Sequence, residues 1–438
     1  MLKGYKYRLY PTDEQKRLIH KHFHMTRLIY NMALTINNWH YETYRGEKKL
    51  SFYEIQKQIP ELKEFDSRFK EVNAQSLIWS LDFLKDAYSK FFKGLAKYPR
   101  YKKRSSHNTF TAHQGTTLDW ENKKLKLIKF SEGIDIVLHR NFDGIIKRAT
   151  VSKNSAGQYF ASLLVEDGRQ LPEPIKQVAP EKACGIDMGL NFHFTMVDGS
   201  GNTSEVKYPM FLEKNLKRLA VLKRRLAKKK KGSSNYRKAL LQVGKLSTRI
   251  VNQREYFLHQ QSNELTKNYD LISMETLNIK EMTAKIKPVK IDDKTFAPNN
   301  RGKQKKRNRR IMDSAWNKFQ TQIEYKAVFR GKATYKVDQY FPSSKLCSVC
   351  GTKNKGLLLE ERKWKCNDCG TVHKRDENAA KNLLNEGIKK SGLCKSEVPV
   401  EVLDFQNKIE AVEAGISEKC GKKQRKSVSK RKIPDRVL

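Results

Sequence analysis

The sequence predicts a multidomain α+β chain, and three observations carry that expectation. Residues 12–95 hold apolar side chains at helical spacing. Residues 98–166 break into short runs separated by turn signals. Residues 181–341 mix apolar strands with long helical stretches. A length of 438 residues is enough for roughly two to four domains.

In chain order, residues 2–10 alternate and read as a strand that Pro11 ends. Thr12 and Gln15 form a capping box opening a helix, in which Leu18, Ile19, Phe23, Leu28, Ile29 and Met32 recur at helical spacing. Ser51 and Glu54 form a second box, and Pro60 interrupts the helix that follows. The run from Asn73 to Leu95 carries Leu77, Ile78, Leu81, Leu84, Tyr88 and Phe91 on one face. Strand candidates are 108–113, 124–130, 134–139, 145–153 and 157–166, with turns at Asp143-Gly144 and Ala156-Gly157. They predict a β-barrel or sandwich that also recruits strand 2–10. Residues 181–198, EKACGIDMGLNFHFTMVD, give a strand ending at Asp187, a glycine turn and a second strand. A helical hairpin follows, with its bend at Lys228–Lys231 and Gly232-Ser233-Ser234. DLISMETLNI (270–279) is a buried strand ending in Glu275. Residues 280–310 are polar and basic and read as a mobile loop. Residues 314–329 form an amphipathic helix, and 333–341 a further strand. The tail 391–438, which includes KKQRKSVSKRK, reads as disordered.

Composition narrows the function. Lys and Arg number 89 against 47 Asp and Glu, a formal net charge of +42. Solubility of a small domain needs a magnitude of only about 2–8. The excess is spread along the chain, so a basic tail on an ordinary enzyme does not account for it; a polyanionic partner does. Of seven cysteines, Cys184, Cys394 and Cys420 are scattered and four are grouped. An odd count without disulfide-like density fits a reducing compartment. No run of about 18 apolar residues predicts a membrane span, and the N-terminus has no apolar signal core. These features predict a cytoplasmic protein with no membrane partner.

Two constellations carry chemistry. Cys347 and Cys350 form one C-x2-C knuckle, and Cys366 and Cys369 a second, with fifteen residues between them. That spacing fits one structural zinc ion closed by four thiolates. His373 is then superfluous as a ligand and is a candidate for a phosphate contact or a structural hydrogen bond. The other constellation is Asp187, Glu275 and Asp376, two at strand ends and one at a helix start. Singly, each reads as a turn or capping residue. Jointly, in so basic a chain, they suit two Mg²⁺ (or Mn²⁺) ions, because converging carboxylates repel without cations between them. Two such ions serve phosphodiester hydrolysis. Tyr98, Arg100, Tyr101, Lys102, Lys103 and Arg104 combine stacking faces with cations and are candidate nucleic-acid contacts. Asn73, Gln75 and Ser76 either read base edges or simply begin a helix.

GIDMGL, ISMETLNI and CGTVHKRDENAAKNLL resemble the three motifs of the RuvC nuclease core of the transposon-encoded TnpB (OrfB) family, relatives of type V CRISPR effectors. SAWNKFQTQIEYKA, VDQYFPSSKLCSVCG, YKYRLYPTDEQ and YPRYKKR are also similar to it, so the resemblance spans roughly residues 1–388. It departs at Lys374, where many members are acidic. The resemblance implies a RuvC/RNase H-like nuclease core (181–345 and 376–390) with a four-cysteine zinc-finger insertion that binds target nucleic acid (346–375). It also implies a β-barrel wedge domain (1–11 and 96–180) and a helical recognition lobe (12–95). The implied activity is RNA-guided DNA cleavage. A guide RNA from the transposon end pairs with one strand of target double-stranded DNA beside a short motif, and Asp187, Glu275 and Asp376 serve as catalytic metal ligands. The alternative is a non-cleaving, RNA-guided repressor or nucleic-acid-binding protein, against which the presence of all three acids argues. A strand-transfer transposase would need a nucleophilic Tyr or Ser motif or transfer chemistry at the acidic triad; the sequence offers no HUH-like histidine pair, and the one triad fits hydrolysis. The oligomeric state stays open.

Overall fold

The computed structural model describes residues 1–45, 50–104, 108–285, 291, 301–358 and 360–393. Cys394, Cys420 and residues 394–438 of the expected tail lie outside them, as do 286–290 and 292–300 of the expected loop.

β1 (Leu2–Tyr10) leads into α1 (Asp13–Tyr44), which opens on the Thr12–Gln15 capping box. α2 (Phe52–Lys57) opens on the Ser51–Glu54 box. α3 (Ile59–Phe65) carries Pro60 in its first turn, where a missing N–H leaves no bond unmade. α4 (Ala74–Phe92) is capped by Asn73, whose side chain accepts from Gln75 N. These helices share a core of Met25, Ile29, Leu34, Leu77, Leu81 and Leu84.

β2 (Thr109–Ala112), β3 (Thr117–Asp119), β4 (Lys124–Leu127), β5 (Phe130–Val137), β6 (Ile145–Lys153) and β7 (Tyr159–Glu166) join β1 in one antiparallel sheet. Its order is β2-β6-β7-β1-β5-β4-β3, with β1 between β7 and β5. Among the described residues the sheet does not close. β2 and β3 are its two edges, only four and three residues long, and α1 lays Ile19 and Phe23 against the apolar face. The barrel expected from the turn signals is thus an open sheet capped by a helix. The expected strand 124–130 also divides, because Lys129 takes a left-handed turn (φ 75°) before β5 begins.

β8 (Ala183–Asp187), β9 (Phe194–Asp198) and β10 (Thr203–Val206) begin a second sheet. The hairpin α5 (Phe211–Ala227) and α6 (Ser234–Asn268) follows, then β11 (Leu271–Glu275), α7 (Ile279–Met282), α8 (Arg301–Ser314), α9 (Trp316–Val328) and β12 (Ala333–Val337). The order is β10-β9-β8-β11-β12; β8, β11 and β12 run parallel and β9 antiparallel to its neighbours. One face packs Cys184, Ile186, Ile272 and Met274 against α6 and α9. The short β13 (Lys363–Lys365) and β14 (Val372–Lys374) form the ribbon of the cysteine finger. α10 (Arg375–Ser391) then returns to cover the other face through Leu384.

Two expectations change here. Residues 301–310 are not loop but the body of α8. Its polar side chains hold it in place: Gln304, Arg307 and Asn308 donate to the carbonyls of Ala284, Met282 and Thr283, which are exposed at the end of α7. The helix expected over 314–329 is broken at its start by Ala315, at φ 53°. Among the described residues no helix is long and apolar enough to cross a membrane.

Candidate functional site

Register brings the first two acids together. Ile186 of β8 pairs with Met274 of β11 in parallel. Asp187 and Glu275 are the next residues on each strand, so they sit side by side at the strand ends and point to the same face. The Met188 N–H bonds the Glu275 carboxylate and works to lower its pKa, but burial prevails and raises it to about 7. Gln320, buried on α9, donates to the Glu275 carbonyl at 2.7 Å and fixes the strand end.

The third acid arrives on α10, which lies directly on the two central strands. A Cβ on Gly185 would collide with the Ala380 carbonyl, and one on Gly387 with the Ser273 side chain. Only glycine permits this approach, and it carries the first turn of α10, with Asp376, to the end of β8. Asp376 does not cap the helix: Lys374 occupies that position, with no side-chain cap. Burial pushes the Asp187 carboxyl well above the usual carboxylate range. Glu275 and Asp376 push it further, against the pull of Arg375 and Arg362. Asp187 therefore feels the charge of both other acids. Hard oxygen donors gathered at partly buried strand ends suit a divalent cation. Asp376 also accepts from Arg362 Nη1 of the finger at 3.2 Å. Lys374 is 66% exposed and pairs loosely with Glu377 at 3.8 Å.

The four cysteines converge. Among the described residues they form the one group of three or more ligand-type side chains whose donor atoms all lie within 4.8 Å of one another; the acids are more open. Cys347 and Cys369 sulfurs are 3.6 Å apart, and those of Cys350 and Cys366 3.5 Å. A tetrahedron with metal–sulfur bonds of about 2.3 Å has edges of about 3.8 Å. Each knuckle is the same turn. Cys347 N donates to Thr352 O and Gly351 N to Cys347 O; Cys366 N donates to Thr371 O and Gly370 N to Cys366 O. Hydrogen bonds from Thr352 hold the Cys350 thiol down to about 6, while burial raises Cys347 to about 11. His373 Nε2 lies 3.1 Å from Cys347 Sγ with its ring against Trp364, so it makes a structural contact to sulfur.

The expected nucleic-acid contacts divide. Arg100, Tyr101, Lys103 and Arg104 are exposed and Gln75 is half-buried. Ser76 is 1% exposed, on the buried face of α4. Lys102 turns inward: Asn31 clamps its backbone N–H and carbonyl, and its ammonium lies 3.7 Å from the centre of the Tyr30 ring. Burial lowers it to about 8. In this conformation Ser76 is buried and Lys102 is half-buried against the Tyr30 ring. The sequence reading also passed over Arg375, Asn378 and Asn382, buried on one face of α10. Arg375 donates to Leu358 O and Ser344 Oγ; Asn378 and Asn382 each donate to Leu346 O at 2.7 Å, fastening the first knuckle to the helix. Their spacing was visible, but polar residues at helical spacing ordinarily read as a solvated face.

Fold and site together define a basic, multidomain α+β protein with an acidic cluster at its strand ends and a four-cysteine finger beside it. The chain belongs to the TnpB/OrfB family. It is 33% identical over 392 residues to a Streptomyces pristinaespiralis protein named “Putative RNA-guided DNA endonuclease”, covering 88% of this chain and 89% of that one. It is 30% identical over 391 residues to the Escherichia coli protein “Putative RNA-guided DNA endonuclease InsQ”, covering 88% and 92%. Family profiles match residues 163–285 (“Probable transposase”), 316–383 (“Cas12f1-like, TNB domain”) and 1–47 (“Helix-turn-helix domain”). The described part of that last stretch is a strand and a single long helix. A solved structure, the Cas12f1–sgRNA–target DNA complex, shares the fold with a TM-score of 0.52 at 14% identity, over 88% of this chain and 99% of that one.

Proposed function

We infer that the chain is an RNA-guided DNA endonuclease of transposon origin, whose guide RNA pairs with one strand of double-stranded target DNA. Two near-full-length relatives carry that activity in their names, and the charge of +42 suits both polyanions. The observation that carries the catalytic part is the meeting of Asp187, Glu275 and Asp376 at the ends of β8 and β11 and the start of α10, with the Asp187 carboxyl raised by burial and its two neighbours. In this reading the second sheet with α10 is the RuvC/RNase H-like core, and the open sheet of β1–β7 is the wedge. The helices α1–α4 are the recognition lobe, and the finger touches nucleic acid near the cut.

Asp187, Glu275 and Asp376 would hold two Mg²⁺ or Mn²⁺ ions, which supply charge neutralisation for phosphodiester hydrolysis when bound. The chain's own residues orient the site. The Met188 N–H and Gln320 fix Glu275, and the packing at Gly185 fixes the height of Asp376. Arg362 supplies a positive charge beside it. The four cysteines would hold one zinc ion that closes the finger on itself, and Arg375, Asn378 and Asn382 fasten that finger to the helix bearing Asp376.

The test is cleavage of a target plasmid by protein co-expressed with its flanking RNA, wild type against Asp187→Ala. Expected is Mg²⁺-dependent cutting that Asp187→Ala abolishes while RNA still co-purifies. Cutting that survives Asp187→Ala would remove these acids from the mechanism. Absence of cutting in the wild type, with RNA and target bound, would establish the non-cleaving alternative.

A further inference from the structure

A small cavity of about 20 Å³ lies between α1, α4, β2 and the chain at Lys102. A buried water needs about 10–15 Å³ of such space, so the cavity takes one or two groups of that size and nothing bulky. Its wall includes two cations, Arg27 and Lys102, and the hydroxyls of Thr26, Ser76, Ser80 and Thr111; among the described residues no carboxylate lines it. Three of these hydroxyls are engaged. Thr26 Oγ1 donates to His22 O at 2.8 Å, Ser80 Oγ donates to Ser76 O at 3.0 Å, and Thr111 Oγ1 and Thr150 Oγ1 share a hydrogen bond at 3.1 Å. The Ser76 hydroxyl is wholly buried and meets no partner among the described residues. Buried polar groups ordinarily have one, so this hydroxyl is placed to serve a group that enters the cavity.

Lys102 brings the reactive atom. Its Nζ lies 3.7 Å from the centre of the Tyr30 ring and 5.6 Å from that of Phe83, and Asn31 clamps its backbone on both sides. Burial alone brings the amine down to about 8. At neutral pH an ordinary lysine, near 10.4, leaves fewer than about one amine in a thousand uncharged. Lys102 leaves on the order of a tenth, and only the uncharged amine is a nucleophile.

We propose that Lys102 is a site of N-carboxylation by dissolved CO2, and that the carbamate formed occupies this cavity. The Nζ lone pair forms a bond to the carbon of CO2, one C=O electron pair moves onto oxygen, and the proton the nitrogen loses goes to solvent. No oxidant, reductant or carrier is consumed. The Ser76 hydroxyl donates to one carbamate oxygen, and the Arg27 guanidinium offsets the new negative charge. The size of the cavity selects CO2 over acyl groups delivered on a carrier, and a wall of cations and hydroxyls suits an anionic product. The modification turns the cation beside Tyr30 into an anion held between α1 and α4, so the joint between the helices and the first sheet responds to dissolved CO2. The proposal does not depend on the nuclease assignment.

The test uses the full chain, stripped of nucleic acid and equilibrated at neutral pH with isotopically labelled bicarbonate as the source of CO2. Triethyloxonium then converts any carbamate into a stable ethyl ester, and peptide mass spectrometry reads its position and yield. Labelled ester is expected on Lys102 at least about tenfold above the neighbouring, exposed Lys103. Ser76→Ala is expected to cut the Lys102 yield several-fold, with its melting temperature level or raised because an unpaired buried hydroxyl has gone. The wild-type arm decides the site without any variant. Absence of labelled ester on Lys102 at saturating bicarbonate overturns the proposal. So does equal labelling of Lys102 and Lys103, which reports surface amine chemistry only. An undiminished yield in Ser76→Ala removes the cavity as the carbamate's seat and overturns it as well.

Discussion

Gly185 sits two residues before Asp187, where strand and helix backbones come into contact. Gly185→Ala is expected to lower stability by about 1–3 kcal/mol through overpacking and to reduce cleavage as α10 lifts Asp376 away; urea unfolding beside the plasmid assay reads both. His22 shows a second kind of constraint. It is wholly buried, its Nδ1–H donates to Leu18 O at 2.9 Å, and its Nε2 accepts from Asn73 N at 3.0 Å. The ring thereby ties α1 to the start of α4 and packs on Phe110 and Phe130 of the sheet. Burial lowers its pKa to about 4, against about 6.5 unfolded. Folding thus favours the neutral ring. Its contribution is complete above about pH 6.5 and is lost as pH falls towards about 4, by up to about 3 kcal/mol. Urea unfolding between neutral and mildly acid pH should show this fall, and His22→Gln should flatten part of it; equal slopes would refute the assignment. The buried His193, lowered to about 3, adds in the same direction. Asp187 and Glu275 were legible as acids closing apolar strands. The burial of Ser76 and Lys102 was not, because a run such as YPRYKKR fixes composition and leaves open which lysine folds under an aromatic ring.

Among the elements, the two cysteine knuckles were fully written in their spacing, down to the glycine after each second cysteine at φ 78° and 69°. One zinc equivalent per chain is expected, and Cys366→Ser should lose it; elemental analysis of protein purified without chelator decides, and wild-type protein free of zinc would refute the site. Metal loss should also expose the finger to proteolysis before the sheets, since Arg375, Asn378 and Asn382 hold only its base. Both capping boxes were equally legible, being local hydrogen-bond patterns. α8 was not. Its sequence, RGKQKKRNRRIMDS, offers few apolar anchors, and its placement comes from carbonyls around residues 282–284 and from Leu190 O, partners distant in sequence. The open sheet escaped prediction for a similar reason: turn signals count strands but do not say whether a helix will cover the face that closure would have buried.

At the scale of the whole molecule, the two sheets meet through α6. Gly244, mid-helix, faces the turn between β6 and β7, where a Cβ would collide with the Ser155 carbonyl. Helix propensity alone predicts that Gly244→Ala stabilises by about 0.5–1 kcal/mol. The contact predicts the opposite sign, a loss of about 1–3 kcal/mol, and urea unfolding distinguishes them. The order of the acids along the chain has a consequence of its own. Asp376 follows Asp187 by 189 residues, about 10–40 s of synthesis at about 5–20 residues per second. During that interval the helices α1–α4 and the first sheet are already outside the ribosome and free to fold, while the acidic cluster still lacks a member. On the proposed assignment, a nascent chain can engage nucleic acid before it can cut any. Cutting begins only once the finger and α10 have been made, which places the hazardous activity last in the protein's own assembly.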